Sequence, residues 1–499
     1  MTVAKKYDVA LLGAGFGASL LAAILSKQGL KVCMIDRESH PRFSIGESST
    51  PAADMILPRL CETYGLDELM PFCRFGSWRS SHPEIGCGCK RGFSYFWHGA
   101  GGEYQATENH QNEMLVAASS SRSVADTQWF RADVDHFVCD YAVRCGTDYF
   151  SQTNVVSISH QADFDWEVAL SAQEKLSSIQ TDFLVDATGP AAILLNHLQI
   201  EDETCRLKTN TSAVYSHFKE VPKAAEWLQN YRTNQTDFPY PVDDSAIHQV
   251  FNDGWLWQLR FENGVCSIGY VSNHDSDAPS KTDVSWDDLL KEKPVLKEIL
   301  GSASVSHIPG KIYKTKRLQR LREQAAGRDW AALPFTAGFI DPLHSTGIAH
   351  TLLGVERLAA MFTRFNIISI EDELSSYSER TLNELRHIDH MVSLCYDNLH
   401  RFPRFRAACM IYFAAATTFE KTYLQGADGF LCAGDLAFQT ILNEASMVMS
   451  ASSNLSRSTE RGPDPAVDAM RGLIEPYNHV GLFHPQKPNM YFHTAATKE

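Results

Sequence analysis

A glycine-rich turn close to the start of this 499-residue chain restricts its fold more than any other feature. The apolar run Tyr7-Asp-Val-Ala-Leu-Leu12 leads into Gly13-Ala14-Gly15-Phe16-Gly17-Ala18, and an apolar segment continues to about Gln28. The run has the texture of a buried parallel strand, and the segment that of a helix stopped by Gly29. Between them, Gly13 permits a tight turn and Gly15 lets the backbone approach a pyrophosphate. Ala18 must be small so that helix and strand pack closely. The helix N-terminus then offers free N–H groups to the phosphates. Lys31-Val-Cys-Met-Ile35 reads as a second strand, ending at Asp36 and Arg37, where a carboxylate can accept from a ribose hydroxyl. Strand, turn, helix and acid in register predict a Rossmann-type dinucleotide site.

Composition narrows the partners. Apolar residues make up 44% and charged residues 21%, ordinary for a globular protein. The net charge of -15 and the lack of any long Lys/Arg run argue against nucleic acid. No stretch reaches the roughly 18 uninterrupted apolar residues of a membrane helix, so no membrane insertion and a cytoplasmic location are expected. The twelve cysteines are scattered, with no second close pair at zinc-site spacing beside Cys87-Gly-Cys89. Reduced thiols and no metal are the expectation.

Further along, residues 52–70 read as helix and 92–97 as strand. The polar stretch 105–127 reads as a mobile loop, 129–145 as helix, and 153–158, 166–171 and 181–187 as strands. Residues 211–218, 247–252, 255–261 and 265–272 suggest a mostly antiparallel sheet. A buried strand is predicted at 335–341, with a helix beginning near Ser345. From about 370 the pattern is helical, with Leu385, Ile388, Met391, Val392, Cys395 and Leu399 at helical spacing. His387 and His390 read as a polar helix face. Residues 335–355 thus repeat the strand–turn–helix of residues 7–28. Both ends of the chain would then close on one cofactor, which points to FAD; a simple NAD domain would finish in one continuous block. The expected division is an FAD-binding domain from 1–200 and 300–360, with 70–130 contributing to the active-site face. A substrate-domain sheet at 205–300 and a helical region at 365–499 complete it.

Four motifs go beyond this. The first is the Gly13–Ala18 turn. The second is Pro41-Arg-Phe-Ser-Ile-Gly46-Glu47-Ser48-Ser-Thr-Pro51, and the third Asp186-Ala-Thr-Gly189. The fourth is Ala337-Gly338-Phe-Ile-Asp341-Pro-Leu-His344-Ser345-Thr346-Gly347-Ile348. On these motifs the chain, from residue 7 to about 357, resembles the flavin-dependent halogenases. That family is a branch of the glutathione-reductase-like flavoproteins, which also hold aromatic hydroxylases and geranylgeranyl reductases. The resemblance implies an α/β fold with a glutathione-reductase-like FAD-binding domain, an antiparallel-sheet substrate domain and a C-terminal helical region. It places Gly46, Glu47, Ser48, Asp186, Gly189, Gly338, Asp341, Gly347 and Ile348 on FAD, and the Ser345-Thr346-Gly347 amides on halide, chloride or bromide. Arg131, in Trp129-Phe-Arg131-Ala-Asp133, resembles the arginine that opens a helix and contacts FAD. The Asp-Gly pattern with which aromatic hydroxylases grip NADPH is not evident, which implies a separate flavin reductase supplying FADH2. A homodimer is left open.

The resemblance also implies a lysine that captures hypohalous acid made at the flavin. Lys90-Arg-Gly92-Phe-Ser-Tyr95-Phe96 matches the K-x-G-x-x-F strand of phenol-type halogenases. Arg74-Phe-Gly76 competes, because it lies nearer the family's spacing from Glu47. Trp255-Leu-Trp257-Gln-Leu259 resembles the family's W-x-W-x-I-P signature, with Arg260 where proline is expected. The two tryptophans, with Phe96, are read as substrate-pocket residues or as packing of one sheet face. His344 stands where tryptophan halogenases carry glutamate; it is read as a catalytic base toward phenol or pyrrole, or as a packed polar residue. The expected activity is FADH2-dependent halogenation of an electron-rich aromatic, free or carried on a protein. Hydroxylation or reduction by a halogenase-like flavoprotein is the alternative.

Overall fold

The computed structural model describes residues 5–99, 101–160, 166–274, 285–363, 370–426, 429–453, 464–484 and 489–492. Its N-terminal sheet is built around the strand Lys5–Leu12, flanked in parallel by Val32–Ile35 and Lys175–Asp186. The sheet order runs from 326–327 through 330–332, 175–186, 5–12 and 32–35 to 148–150. Residues 9–12 and 32–35 are buried on both faces, which is why they read as unbroken apolar runs rather than alternating ones. The helix Phe16–Lys27 packs against Arg131–Arg144 and Gly347–Phe362. The helix predicted at 52–70 is Ala53–Tyr64, followed by a tighter helical stretch, Asp67–Cys73.

The second sheet holds Thr211–Lys219, Val265–Asn273, Gly254–Arg260 and Ala246–Phe251 as an antiparallel set in that order. It is larger than the 205–300 block predicted. Gly92–Trp97 joins it in parallel with Ala246–Phe251, Glu113–Ala117 follows, and Met490–Tyr491 closes the far edge. Ser304–Val305 and Tyr313–Lys314 also pair with Thr211–Lys219, so the sheet takes in short strands beyond residue 300.

Two further expectations are corrected. The stretch 105–127 is not simply a mobile loop: Glu113–Ala117 is fully buried in the second sheet, and Asp126–Trp129 pairs with Cys87–Lys90. The four apolar residues Met114–Ala117 are too short a run to stand out among polar neighbours. Residues 335–341 form no long strand. Pro334–Ala337 is a helical turn, and only Gly338–Phe339 pairs, antiparallel, with Arg320–Leu321. Proline at the first helical position fixes the φ angle a helix needs.

The C-terminal region contains the helices Glu371–Tyr396, Phe402–Tyr423, Leu436–Ser453 and Pro465–Ile474. Leu385, Ile388, Met391, Val392, Cys395 and Leu399 are all buried, as their spacing predicted. His387 and His390 do not form an outward polar face. Each reaches across to a neighbouring segment, bonding the Leu431 carbonyl at 2.9 Å and Ser446 Oγ at 2.7 Å. Among the described residues no helix is long and apolar enough to cross a membrane.

Candidate active site

The nucleotide turn divides its labour among its glycines. Gly13 has φ +101°, and a Cβ there would fall 2.6 Å from the Ala187 carbonyl oxygen, so the close approach of the Asp186–Gly189 turn requires glycine. A Cβ at Gly17 would fall 2.6 Å from Thr351 Cγ2, on the helix that follows the fourth motif. A Cβ at Gly15 would meet only Asp135 Oδ2, at 3.8 Å. Gly15 is therefore uncrowded, with only the Arg131-paired Asp135 carboxylate in contact range, at the start of a helix with no side-chain cap and no acid in its first turn, where free N–H groups favour an anion.

The surrounding charges brace this turn. Asp36 Oδ2 accepts from the Ala14 amide at 2.9 Å and from Arg42 Nη2 at 2.7 Å, while Arg37 is largely exposed beside Glu38. Asp186 accepts from Thr188, Leu194 and Leu195 and so shapes the turn that meets Gly13. Gly189 has φ +57°. Arg131 is buried over the Phe16 ring. It forks onto Asp135 at 2.6 and 2.8 Å and donates to the carbonyls of Ile45 and Gly46. It thereby ties the Gly46-Glu47-Ser48 segment to the nucleotide turn. Glu47, also buried, pairs with His217 Nε2 at 2.6 Å.

At the fourth motif Ser345 adopts φ +54°, a left-handed conformation uncommon for a residue with a Cβ. This sharp turn launches the helix Gly347–Phe362, which again has no side-chain cap and no first-turn acid. A Cβ at Gly347 would meet nothing within 4 Å. A cavity lined by Gly338, Asp341, Thr346 and Gly347 opens there. Asp341 is buried and bonded to Tyr396, Thr211 and the Leu343 amide; burial pushes its carboxyl up to about 7.

The strand Cys87–Lys90 carries Lys90 into the interior, wholly buried. Its ammonium donates to the Ser49 carbonyl, in the second motif, and lies 3.9 Å from the centre of the Phe93 ring. His344 and His248 lie within reach of this charge. Burial first, and then each other's and Lys90's charge for His344, hold His344 down to about 3; burial and Lys90 hold His248 equally low. Both rings are therefore neutral at physiological pH. His344 stacks on Tyr412, with centroids 4.1 Å apart and planes 4° from parallel, and its carbonyl accepts from the Tyr412 hydroxyl. His248 stacks on Tyr95 at 4.5 Å and leans on Trp255 at 4.9 Å.

Lys90 and His344 thus belong to one aromatic cluster, Lys90 on Phe93 and His344 on Tyr412, with the two rings edge-on at 6.3 Å. Arg74 is exposed, at the start of the helix Phe75–Ser81. Trp255 and Trp257 are both buried, with Nε1 donated to Tyr396 and to Ser267 respectively. Arg260, in place of the family proline, holds the Val221 and Pro222 carbonyls. Phe96 is a correction: the pleat of Gly92–Trp97 sends it to the opposite face, against Tyr104 and Trp227, while Phe93 and Tyr95 share the face of the histidines. Strand alternation would have found Tyr95. His248 could not have been found that way, because its position depends on a parallel pairing with Tyr95 across distant sequence.

A family model for tryptophan halogenases matches residues 128–404, more than half of the chain. The chain belongs to this family of flavin-dependent halogenases. It is 29% identical over 407 residues to monodechloroaminopyrrolnitrin halogenase PrnC of Pseudomonas fluorescens, covering 78% of this chain and 68% of that one. To tetracycline 7-halogenase of Kitasatospora aureofaciens it is 25% identical over 440 residues, covering 84% and 75%. Its fold is similar to that of halogenase PltM in a complex with phloroglucinol and FAD, with TM-score 0.82, 23% identity and coverage of 98% and 99%. The halogenase is accordingly an enzyme of the FAD-dependent oxidoreductase type.

Proposed function

We propose that this halogenase substitutes an electron-rich aromatic ring, phenol- or pyrrole-type, using oxygen, chloride or bromide, and FADH2 from a separate flavin reductase. The substrate is a small molecule, free or tethered to a carrier protein. Two uncapped helix starts, at Gly15 and at Gly347, the second facing open space, fit the cofactor's pyrophosphate and its flavin end. In this reading Gly13, Gly15, Phe16, Gly17 and Ala18 hold the pyrophosphate, with Asp36 and Arg37 at the nucleoside. Gly46, Glu47, Ser48, Arg131, Asp186, Gly189, Gly338, Asp341, Gly347 and Ile348 enclose the rest. When bound, reduced FAD supplies the electrons that turn oxygen and halide into hypohalous acid.

The chain's own residues do the remainder. The backbone amides of Ser345, Thr346 and Gly347, presented by the left-handed turn, hold the halide. Lys90 donates a hydrogen bond to the hypohalous oxygen and makes the halogen more electrophilic toward the ring. His344, neutral with a pKa of about 3, accepts a hydrogen bond from the substrate's O–H or N–H. So weak a base polarises that bond and does not ionise it. Trp255 walls the site beside His248.

The observation that carries this reading is the buried Lys90 ammonium, bonded to the second motif and set on the Phe93 ring, which meets Tyr412, the ring that His344 stacks on. Its test is to incubate the protein with flavin reductase, FAD, NADH, bromide and a panel of phenols and pyrroles. Brominated product is expected. Hydroxylated or reduced product without bromination across the panel contradicts the reading.

A further inference from the structure

Two buried thiols stand directly behind the halide turn and have no part in the chemistry above. Cys395 Sγ lies 3.6 Å from His344 Nε2 and 3.9 Å from Cys409 Sγ, and the three atoms fall within 4.8 Å of one another. Cys395 sits on the helix Glu371–Tyr396 and Cys409 on Phe402–Tyr423, two helices packed side by side. Both sulfurs are shielded from solvent, at 0% exposure. His344 immediately precedes Ser345-Thr346-Gly347. An oxidant formed at that turn therefore has a thiol one side chain away. Toward electrophilic halogen a thiol is a better nucleophile than the imidazoles and phenols around it.

We propose that Cys395 and Cys409 form a redox modification site, oxidised to a disulfide by the enzyme's own hypohalous acid when no aromatic substrate is present. The inference rests on the reading of the halide turn given above. In the first step the Cys395 sulfur attacks the halogen of X–OH. The S–X bond forms and the X–O bond breaks. The thiol proton joins the departing hydroxide as water. In the second step the Cys409 sulfur, already in contact, attacks the Cys395 sulfur. The S–S bond forms, the S–X bond breaks, and halide leaves with the Cys409 proton. Two thiols and one hypohalous acid thus give one disulfide, water and HX, with two electrons passing from sulfur to halogen. The bridge draws Cys395 Sγ off His344 Nε2 and ties the two helices, which shifts the ring that the proposed reaction uses against the substrate, so halogenation slows until a thiol reductant reopens it. A substrate that occupies the site intercepts the halogen first and keeps the pair reduced.

Exposed Cys205 supplies an internal control, because oxidant released into solution meets it before it meets a buried pair. The fully reduced, full-length protein is turned over with FAD, flavin reductase, NADH, oxygen, bromide and catalase, in one arm without aromatic and in the other with excess phenol. Free thiols are then alkylated and the peptides mapped by mass. Without phenol, a Cys395–Cys409 cross-link (a loss of about 2 Da) is expected, roughly tenfold ahead of oxidation at Cys205. It is absent when bromide is omitted and is reversed, with activity, by dithiothreitol. With phenol, bromophenol appears and both thiols stay alkylatable. Bromophenol in the second arm with an unoxidised pair in the first overturns the inference while leaving the halogenase reading intact. So does oxidation of Cys205 ahead of the pair. Absence of bromophenol overturns the reading itself and the inference with it. In Cys409→Ser, exhaustive turnover without phenol is expected to carry Cys395 past the thiol-reducible sulfenic acid to sulfinic or sulfonic acid, with two or three oxygens added and the loss of activity no longer reversed by dithiothreitol; full recovery with dithiothreitol after the same exhaustive turnover also counts against the pair.

Discussion

Tyr396 donates its hydroxyl hydrogen to Asp341 Oδ2 at 2.9 Å, and this bond joins the C-terminal helices to the segment that leads into the left-handed turn at Ser345. The same hydroxyl accepts from Trp255 Nε1 at 2.8 Å, so Trp255, the helix Glu371–Tyr396 and Asp341 form one buried chain. Removing the hydroxyl leaves a buried indole N–H without its acceptor and the carboxyl with one donor fewer. Tyr396→Phe is expected to cost about 1–3 kcal/mol in urea denaturation. Trp255→Phe, which leaves the bond to Asp341 in place, is expected to cost less from this network. Equal losses would contradict the chain as described.

Burial makes the site pH-sensitive in two opposed ways. His248 and His344 are held at about 3, so the folded state binds fewer protons there than the unfolded chain. Their stabilising neutrality is lost as pH falls below the ordinary histidine value of about 6.5. Asp341, raised to about 7, acts in the other direction. The folded state holds its proton where the unfolded chain has released it, and that contribution is lost as pH rises toward 7. Each group contributes a slope of about 1.4 kcal/mol per pH unit within its window. Between roughly pH 4 and 6.5, where one histidine and Asp341 cancel, the three together leave stability rising with pH by about one such slope. His248→Gln is expected to flatten the dependence of unfolding free energy on pH by about 1.4 kcal/mol per unit. An unchanged slope would refute the assignment.

The first two glycines of the nucleotide turn should separate folding from cofactor binding. At Gly13 an added Cβ meets backbone at 2.6 Å in a left-handed conformation, so Gly13→Ala is expected to cost about 1–3 kcal/mol or more and to yield little soluble protein. At Gly15 the nearest atom is 3.8 Å away. Gly15→Ala is expected to keep the wild-type melting temperature and to weaken FAD binding at least about tenfold, read by flavin fluorescence titration. Unweakened FAD binding in Gly15→Ala would remove the pyrophosphate from this turn.

Ser345 tests the halide turn. Its left-handed conformation costs the fold energy that glycine would not. Ser345→Gly is expected to raise stability by up to about 1 kcal/mol. It should also raise the bromide KM, since a freer backbone holds the amides less rigidly. A more stable variant with unchanged bromide KM would place the halide elsewhere.

Much of this site was readable in the sequence because its parts are local. Gly13, Gly15 and Gly17 show in a six-residue turn, and Lys90 shows in the K-x-G-x-x-F pattern that runs into the strand Gly92–Trp97. The four strands between 211 and 273 alternate or run apolar as their burial requires. What escaped is what depends on pairing between distant segments. Phe96 matched a motif letter, yet its direction follows from which face of the second sheet meets the C-terminal helices. His248 enters the site only because its strand lies parallel to Gly92–Trp97. Glu113–Ala117 is a central strand because neighbours from both ends of the chain flank it.

The account stands or falls on Lys90. Lys90→Met replaces a fully buried ammonium by an uncharged chain of similar length, so the fold and FAD binding are expected to persist. The decisive measurement is single-turnover bromination of a phenol by the FAD-loaded, chemically reduced protein, wild type against Lys90→Met, at matched flavin content. At least about a thousandfold loss of bromophenol in the variant, with flavin reoxidation by oxygen unchanged, is the predicted result. Bromination by Lys90→Met within a few-fold of wild type would contradict it.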